Sequence, residues 1–291
     1  MTIWNLGSIN LDLVYGMDRL PGRGETVSAA TKAEFLGGKG ANMSVAVARA
    51  AARVCHIGAV GADGRWAVER LMEYGVDTGH IVQVDVPTGH AIVAVEGSGE
   101  NQIIIFPGAN RDIPVERLRA ALTQAQTGDF LVMQNETNAQ IEAARLGHDM
   151  GLTVCYAAAP FEAGAVQAVL AYLDLLILNA VEAEQLEHAL GRPVTDLAVR
   201  DVIVTLGARG ARWISTERGS DQVFAARQVQ AVDTTGAGDT FTGYVLAGLD
   251  RGMPMPQAIS QAVLAASIMV TRRGTADVIP DLKDLQDLIQ D

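Results

Sequence analysis

Basic residues are scarce and scattered in this chain. Its 22 Lys and Arg face 34 Asp and Glu, for a net charge of −12. No stretch gathers cations as nucleic-acid backbones or anionic lipid surfaces demand, which excludes both as broad partners. Cysteine is nearly missing too: Cys55 and Cys155 sit in the apolar runs RVCHIGAV and LTVCYA. Two buried thiols exclude a disulfide scaffold and suit a reducing cytosol. No basic-then-apolar leader opens the chain, and its most apolar stretch, 163–178, is broken by Gln167 and Asp174. Neither a signal peptide nor a membrane span is expected, so a cytoplasmic protein is. Two familiar phosphate loops are also lacking. The pattern GxxxxGK followed by Ser or Thr does not occur, and GxGxxG would need glycine where Phe241 stands. The five histidines show no metal-ligand spacing, and His56, in an apolar run, reads as a satisfied core residue.

What is present is a large apolar supply, 49% of the residues, patterned for an α/β fold. Continuous apolar runs at 3–9, 54–60, 130–134, 152–157, 175–179 and 202–206 read as buried strands. Amphipathic stretches at 40–52, 63–75, 115–125, 138–150, 180–190, 237–250 and 256–271 read as helices. Strands covered on both faces and separated by helices predict a doubly wound, mostly parallel sheet. Residues 12–36 and 88–107 break that rhythm. In HAIVAVEGSGENQIIIF, two β-rich runs flank a Gly-Ser-Gly-Glu-Asn turn, which reads as a hairpin. The two regions predict a small β subdomain acting as a lid on one α/β domain, with open edges that invite a homodimer.

The chemistry concentrates in DTTGAGDTFTG, residues 233–243. Strand-like QVQAV, 228–232, runs into it and a helix follows. Gly236, Ala237 and Gly238 then bare the first amides of that helix, a ready site for phosphate oxygens. Asp239 stands beside that anion site, where it can orient a substrate hydroxyl and take its proton. A helix start lowers a carboxyl pKa and makes a weak base, which suffices for a loose phosphoryl-transfer transition state. Asn10 and Asp12 are two apart on a strand, so both side chains point the same way and suit vicinal hydroxyls. Gly37-Gly38 again bares backbone, Lys39 offers three donors, and Asn42 lies near a helix start. Asn179 and Glu182 have the spacing of a helix capping box.

DTTGAGDTF resembles the C-terminal signature of the ribokinase-like (PfkB) carbohydrate kinases, and FLGGKGANMSVAVARA, 35–50, resembles their N-terminal one. GSINLDLVY, GENQIIIFPGAN, ILNAVEAEQL, VTLGARGARW and VTRRG match further segments, so the resemblance spans nearly the whole chain. It implies an ATP-dependent kinase acting on a primary hydroxyl of a pentose, ribose foremost, with deoxyribose, a nucleoside or another sugar as alternatives. It implies that Gly38, Lys39, Asn42 and Glu136 hold the sugar with Asn10 and Asp12. Asn179 and Glu182 would organise Mg²⁺ and its waters, and Thr205, Gly207 and Gly210 would line the nucleotide. A K⁺ site would use Asp233, Thr235 and backbone oxygens near Met269, Arg272 and Gly274, although Val278 stands where a further side-chain oxygen is expected. Other departures are the run Cys155-Tyr156-Ala157-Ala158-Ala159 in place of Asn-Pro-Ala-Pro-Ala, Met43 in place of glutamine, and Val263 near the adenine position. Two classes compete: a nicotinamide-dependent oxidoreductase on a doubly wound core, opposed by the missing GxGxxG, and a non-catalytic sugar sensor on the same fold, opposed by Lys39, Asp239 and both signatures.

Overall fold

The computed structural model describes residues 1–97 and 100–290. Ser98 and Gly99, in the expected Gly-Ser-Gly-Glu-Asn turn, and Asp291 lie outside the described residues. The chain starts with β1 (Ile3–Leu6), leaves it for β2 (Asn10–Met17) and β3 (Thr31–Gly37), and returns through α1 (Lys39–Arg49), β4 (Val54–Val60), α2 (Arg65–Glu73) and β5 (Asp77–Gln83). A second excursion forms β6 (Gly89–Glu96) and β7 (Asn101–Phe106). Strand and helix then alternate through α3 (Val115–Leu122), β8 (Phe130–Gln134), α4 (Gln140–Asp149), β9 (Thr153–Ala157), α5 (Ala163–Val169), β10 (Leu175–Asn179), α6 (Ala180–Leu190) and β11 (Asp201–Thr205). The hairpin β12 (Ala211–Ser215) and β13 (Ser220–Phe224) precedes α7 (Ala237–Asp250), α8 (Met255–Met269) and α9 (Leu282–Gln290).

Among the described residues the main sheet has the order β13-β12-β11-β10-β9-β8-β1-β4-β5. It is parallel from β11 to β5, and β12 and β13 pair antiparallel at one edge. Every residue of β4 and β8 is buried, as strands covered on both faces require. One apolar core packs α1, α2, α7 and α8 on one face, and a second packs α3, α4, α5 and α6 on the other. Cys55 and Cys155 are buried in these cores as free thiols. The expected doubly wound sheet is therefore present, together with a small second sheet ordered β3-β2-β6-β7. That sheet comes from the two stretches that lacked helical periodicity.

Three details differ from expectation. Residues 228–232 form no strand: the segment crosses to the end of α8, where Val232 and Asp233 donate to Val270 O at 2.7 and 3.2 Å. The hairpin β12–β13 and the strand β5 were not anticipated, because β5 and β13 are only partly buried and β12 is short and interrupted by Arg212. The first strand stops at Leu6, and residues 7–9 bend away into the small sheet. No described helix is long and apolar enough to cross a membrane.

Candidate functional site

Between β1 and β8 the strand order reverses, because the chain lays β4 and β5 to one side of β1 and β8 onward to the other. Crevices at the carboxyl ends of strands flanking such a reversal are where open α/β sheets bind ligands. Here Ser8 follows β1 and Glu136 follows β8. The Ser8 hydroxyl donates to Glu136 Oε2 and accepts from Gly40 N at 3.2 Å, while Lys39 N donates to the same Oε2 at 3.1 Å. The Glu136 carboxylate is thus bound to the start of α1, with its charge set against the positive helix end. Gly38 makes the approach possible. Its φ is 91°, and a Cβ there would lie 2.8 Å from Ser8 O, so no other residue fits the turn.

Asn10 and Asp12 share one face at the start of β2, as expected. Asn10 Oδ1 accepts from Asn110 Nδ2 at 2.8 Å, and Asn110 also brackets the backbone of Ile9. The Asp12 carboxylate lies over bare Gly37 backbone, where a Cβ would come within 2.1 Å of Oδ2. The Lys39 ammonium is surrounded by Asp239, Glu136, Glu182 and Asp12, and these raise its pKa, Asp239 most. The carboxylates of Asp12, Glu136, Glu182 and Asp239 therefore all act on one lysine.

The opposite wall is the start of α7. A Cβ at Gly243 would come within 2.5 Å of Ala46 Cβ, so glycine lets α7 lie tightly on α1. This contact brings Asn42 Nδ2 to 2.9 Å from Asp239 Oδ2. Gly236 is not the first helical residue, as had been expected, but a left-handed N-cap with φ 73°. It supplies no side-chain cap; Ala237 N donates to Thr234 O at 3.3 Å, and the next amide, that of Gly238, is left for a ligand. A Cβ at Gly238 would meet nothing within 4 Å, so space stands open above those amides.

Asp239 is only 7% exposed. Burial raises its pKa, opposed by Lys39 and by the Asn42 hydrogen bond. This reverses the expected direction: desolvation outweighs the helix start, and the group becomes a stronger base than an ordinary aspartate. Burial, then Glu136 and Asp239, push Asp12 up to about 6.

On the far side, Asn179 and Glu182 form the reciprocal capping box of α6, with Glu182 N to Asn179 Oδ1 at 2.9 Å and Asn179 N to Glu182 Oε2 at 2.7 Å. Thr205 lies in register with Asn179. The two glycines that follow differ in kind. Gly207, with φ 59°, faces open space, whereas a Cβ on Gly210 would strike Phe224 O at 1.9 Å. Gly210 thus has a packing reason to be glycine. The Asp233 carboxylate accepts from Thr235 N at 2.9 Å and from Gly274 N at 3.2 Å, drawing the loop before α7 onto the segment after α8. In that segment Met269 O accepts from Arg272 N, and the Arg272 guanidinium bonds Val278 O and Asp284.

Ser8, Asn110 and Arg111 were not singled out from the sequence. A serine and an asparagine inside GSIN and PGAN carry no chemical signal until the fold brings them to Glu136 and Asn10. His56 matches its reading: it is fully buried, with Nδ1 2.9 Å from Ser44 Oγ and Nε2 3.0 Å from Gly7 O, and burial lowers its pKa to about 4.

The description "pfkB family carbohydrate kinase" matches residues 3–282. The chain belongs to that family. As a pfkB carbohydrate kinase it is a phosphotransferase acting on a sugar hydroxyl. It is 32% identical over 304 residues to the ribokinase of Haemophilus influenzae, a match covering 99% of this chain and 98% of that protein. The ribokinase structure of Thermotoga maritima aligns with a TM-score of 0.89 at 30% identity over 100% of both chains. That of Arabidopsis thaliana ribokinase, complexed with ribose and ATP, aligns with a TM-score of 0.86 at 28% identity over 100% of this chain and 98% of that one.

Proposed function

We propose that this pfkB kinase transfers the γ-phosphoryl group of ATP to the primary hydroxyl of a pentose, with ribose O5 as acceptor. The observation that carries the reading is the placement of Asp239 and Lys39 beside the uncapped start of α7, with open space above Gly238. Asn10, Asp12, Gly38, Lys39, Asn42 and Glu136 hold the sugar hydroxyls. Asp239 accepts the proton of the attacking hydroxyl as the new O–P bond forms and the bond to the β-phosphate oxygen breaks, releasing ADP. The amides at the start of α7, that of Gly238 foremost, receive the developing charge on the transferred group. Thr205, Gly207 and Gly210 line the nucleotide.

Four carboxylates around Lys39, those of Asp12, Glu136, Glu182 and Asp239, would repel a nucleotide polyphosphate without a divalent cation. Glu182 and Asn179 offer hard oxygen donors suited to Mg²⁺ and its waters, and the ion would neutralise the phosphate charge. Potassium would be held by Asp233, Thr235 and backbone oxygens near Met269, Arg272 and Gly274, because Val278 offers no side-chain oxygen. The small sheet serves as the lid, and two copies pair through it. The free core thiols suit a reducing cytoplasm.

A second reading within the same chemistry takes deoxyribose, a nucleoside or another sugar as acceptor. It follows from the departure of residues 155–159 from the run that the family resemblance implies. A panel of pentoses, hexoses and nucleosides with Mg-ATP, compared as kcat/KM in potassium and in tetramethylammonium, decides both points. Ribose should lead, and faster in potassium. Asp239→Asn should fold normally and lose about 10²- to 10⁴-fold in kcat. Near-normal turnover in that variant would remove Asp239 as the base.

A further inference from the structure

We infer that Arg111 is a positioning residue for sugar binding, acting through the backbone that carries Glu136. Arg111 ends a short 3-10 turn, Gly108–Arg111, that follows the lid strand β7. Its Nη1 donates to Thr137 O at 3.0 Å and its Nη2 to Asn135 O at 3.3 Å. Those are the two carbonyls on either side of Glu136. Residues 135–139 belong to no helix or strand, so regular pairing does not fix their backbone. The planar fork of a guanidinium spans two carbonyls at once, which a single ammonium does not do.

The neighbouring residue extends the device. Asn110 O accepts from Asn138 N at 3.2 Å, and the Asn110 side chain holds Asn10 and Ile9. Two consecutive residues at the foot of the lid thus grip both sides of the sugar site, Asn10 through one side chain and the Glu136 loop through the other. Arg111 itself stays outside that site. It lines a separate hollow of about 510 Å³ with Asn135, Thr137, Asn138, Gln140 and Glu162, and none of Asp12, Lys39, Glu136 or Asp239 borders it. The Arg111 side chain is exposed there, so a small cation has access to the place it leaves when truncated.

This inference rests on the reading that Glu136 binds sugar, and Glu136→Gln in the full-length enzyme tests that reading separately. If the wild type turns over its best sugar and Glu136→Gln leaves the sugar KM unchanged, the reading of Glu136 fails. If Glu136→Gln raises the sugar KM and Arg111→Ala does not, only the Arg111 inference fails. The expected result for Arg111→Ala is a sugar KM raised roughly tenfold or more, with kcat within about threefold and the KM for ATP unchanged. Arg111→Lys should remain impaired. Low-millimolar guanidinium chloride should bring the sugar KM of Arg111→Ala back toward the wild-type value, whereas sodium chloride at equal ionic strength should not. A purely structural arginine would instead lower Tm and the active fraction with the sugar KM intact. That result, full recovery by lysine, or a KM defect indifferent to guanidinium would each overturn the inference.

Discussion

Asp12 holds its charge at a cost in this site. It has two carboxylate neighbours and one lysine, and its pKa is pushed up to about 6 from an unfolded value of 3.8. The folded chain therefore binds a proton that the unfolded chain has already released over that interval, so stability falls as pH rises from about 4 to 6. Asp12→Asn should remove this loss and stabilise the protein at pH 7 by about 1–3 kcal/mol, with the gain shrinking toward zero near pH 4. Thermal melts of both proteins across that range check the sign, and the sugar KM of the variant should rise in the same preparations. A gain over the wild type no larger at pH 7 than at pH 4 would contradict the burial argument. Asp12, Lys39 and Asp239 were all legible as residues. The direction of the Asp239 shift was not, because desolvation depends on what packs over the carboxylate, and Asn42 and Lys39 reach it from a distant part of the chain.

At the scale of elements, the start of α7 joins fold to chemistry. Gly236 takes a left-handed N-cap that most side chains resist. Gly238 is different: its backbone is helical and a Cβ there would meet nothing within 4 Å. Gly238→Ala should thus keep or raise stability, by up to about 1 kcal/mol from helix propensity. The new methyl would occupy the space in which a phosphate approaches the start of α7, so kcat should fall by at least about tenfold with Tm unchanged or higher. Unaltered turnover would show that the phosphate sits elsewhere. The helix itself was readable from its apolar period, whereas the approach to it was not. Residues 228–232 have the alternation of a strand, but the chain there crosses to the end of α8, where Val232 and Asp233 donate to Val270 O. Similarly, Gly207 and Gly210 read alike in GARG, and only the proximity of Phe224 separates the open glycine from the packed one.

For the whole molecule, the conspicuous feature is the outer strand of the small sheet. Ile103, Ile104, Ile105 and Phe106 of β7 are between 42% and 66% exposed, and β7 pairs on one side only, with β6. An apolar edge strand of this kind favours a second copy. Ile104 lies in register with Ile92, whereas Asp12 aligns with Ala91 and Ile105, so Ile104 is on the face away from Asp12. Ile104→Lys should therefore split a dimer without touching the sugar-binding side chains. Light scattering after size exclusion should give twice the 30.7 kDa chain mass for the wild type and one chain for the variant. A wild type that is monomeric at micromolar concentration would remove lid pairing from the proposal.

By itself the sequence determined the layer architecture, the two stretches that build the small sheet and the choice of most candidate site residues. Those depend on local periodicity, on glycines whose conformations few other residues adopt, and on short motifs whose members are neighbours along the chain. Tertiary structure alone decided that Ser8 and Lys39 N hold Glu136, that Asn110 and Arg111 grip two walls at once, and that burial strengthens Asp239 as a base. Each of these joins residues far apart in the chain, and desolvation and hydrogen bonding are set by what the fold brings within about 3 Å.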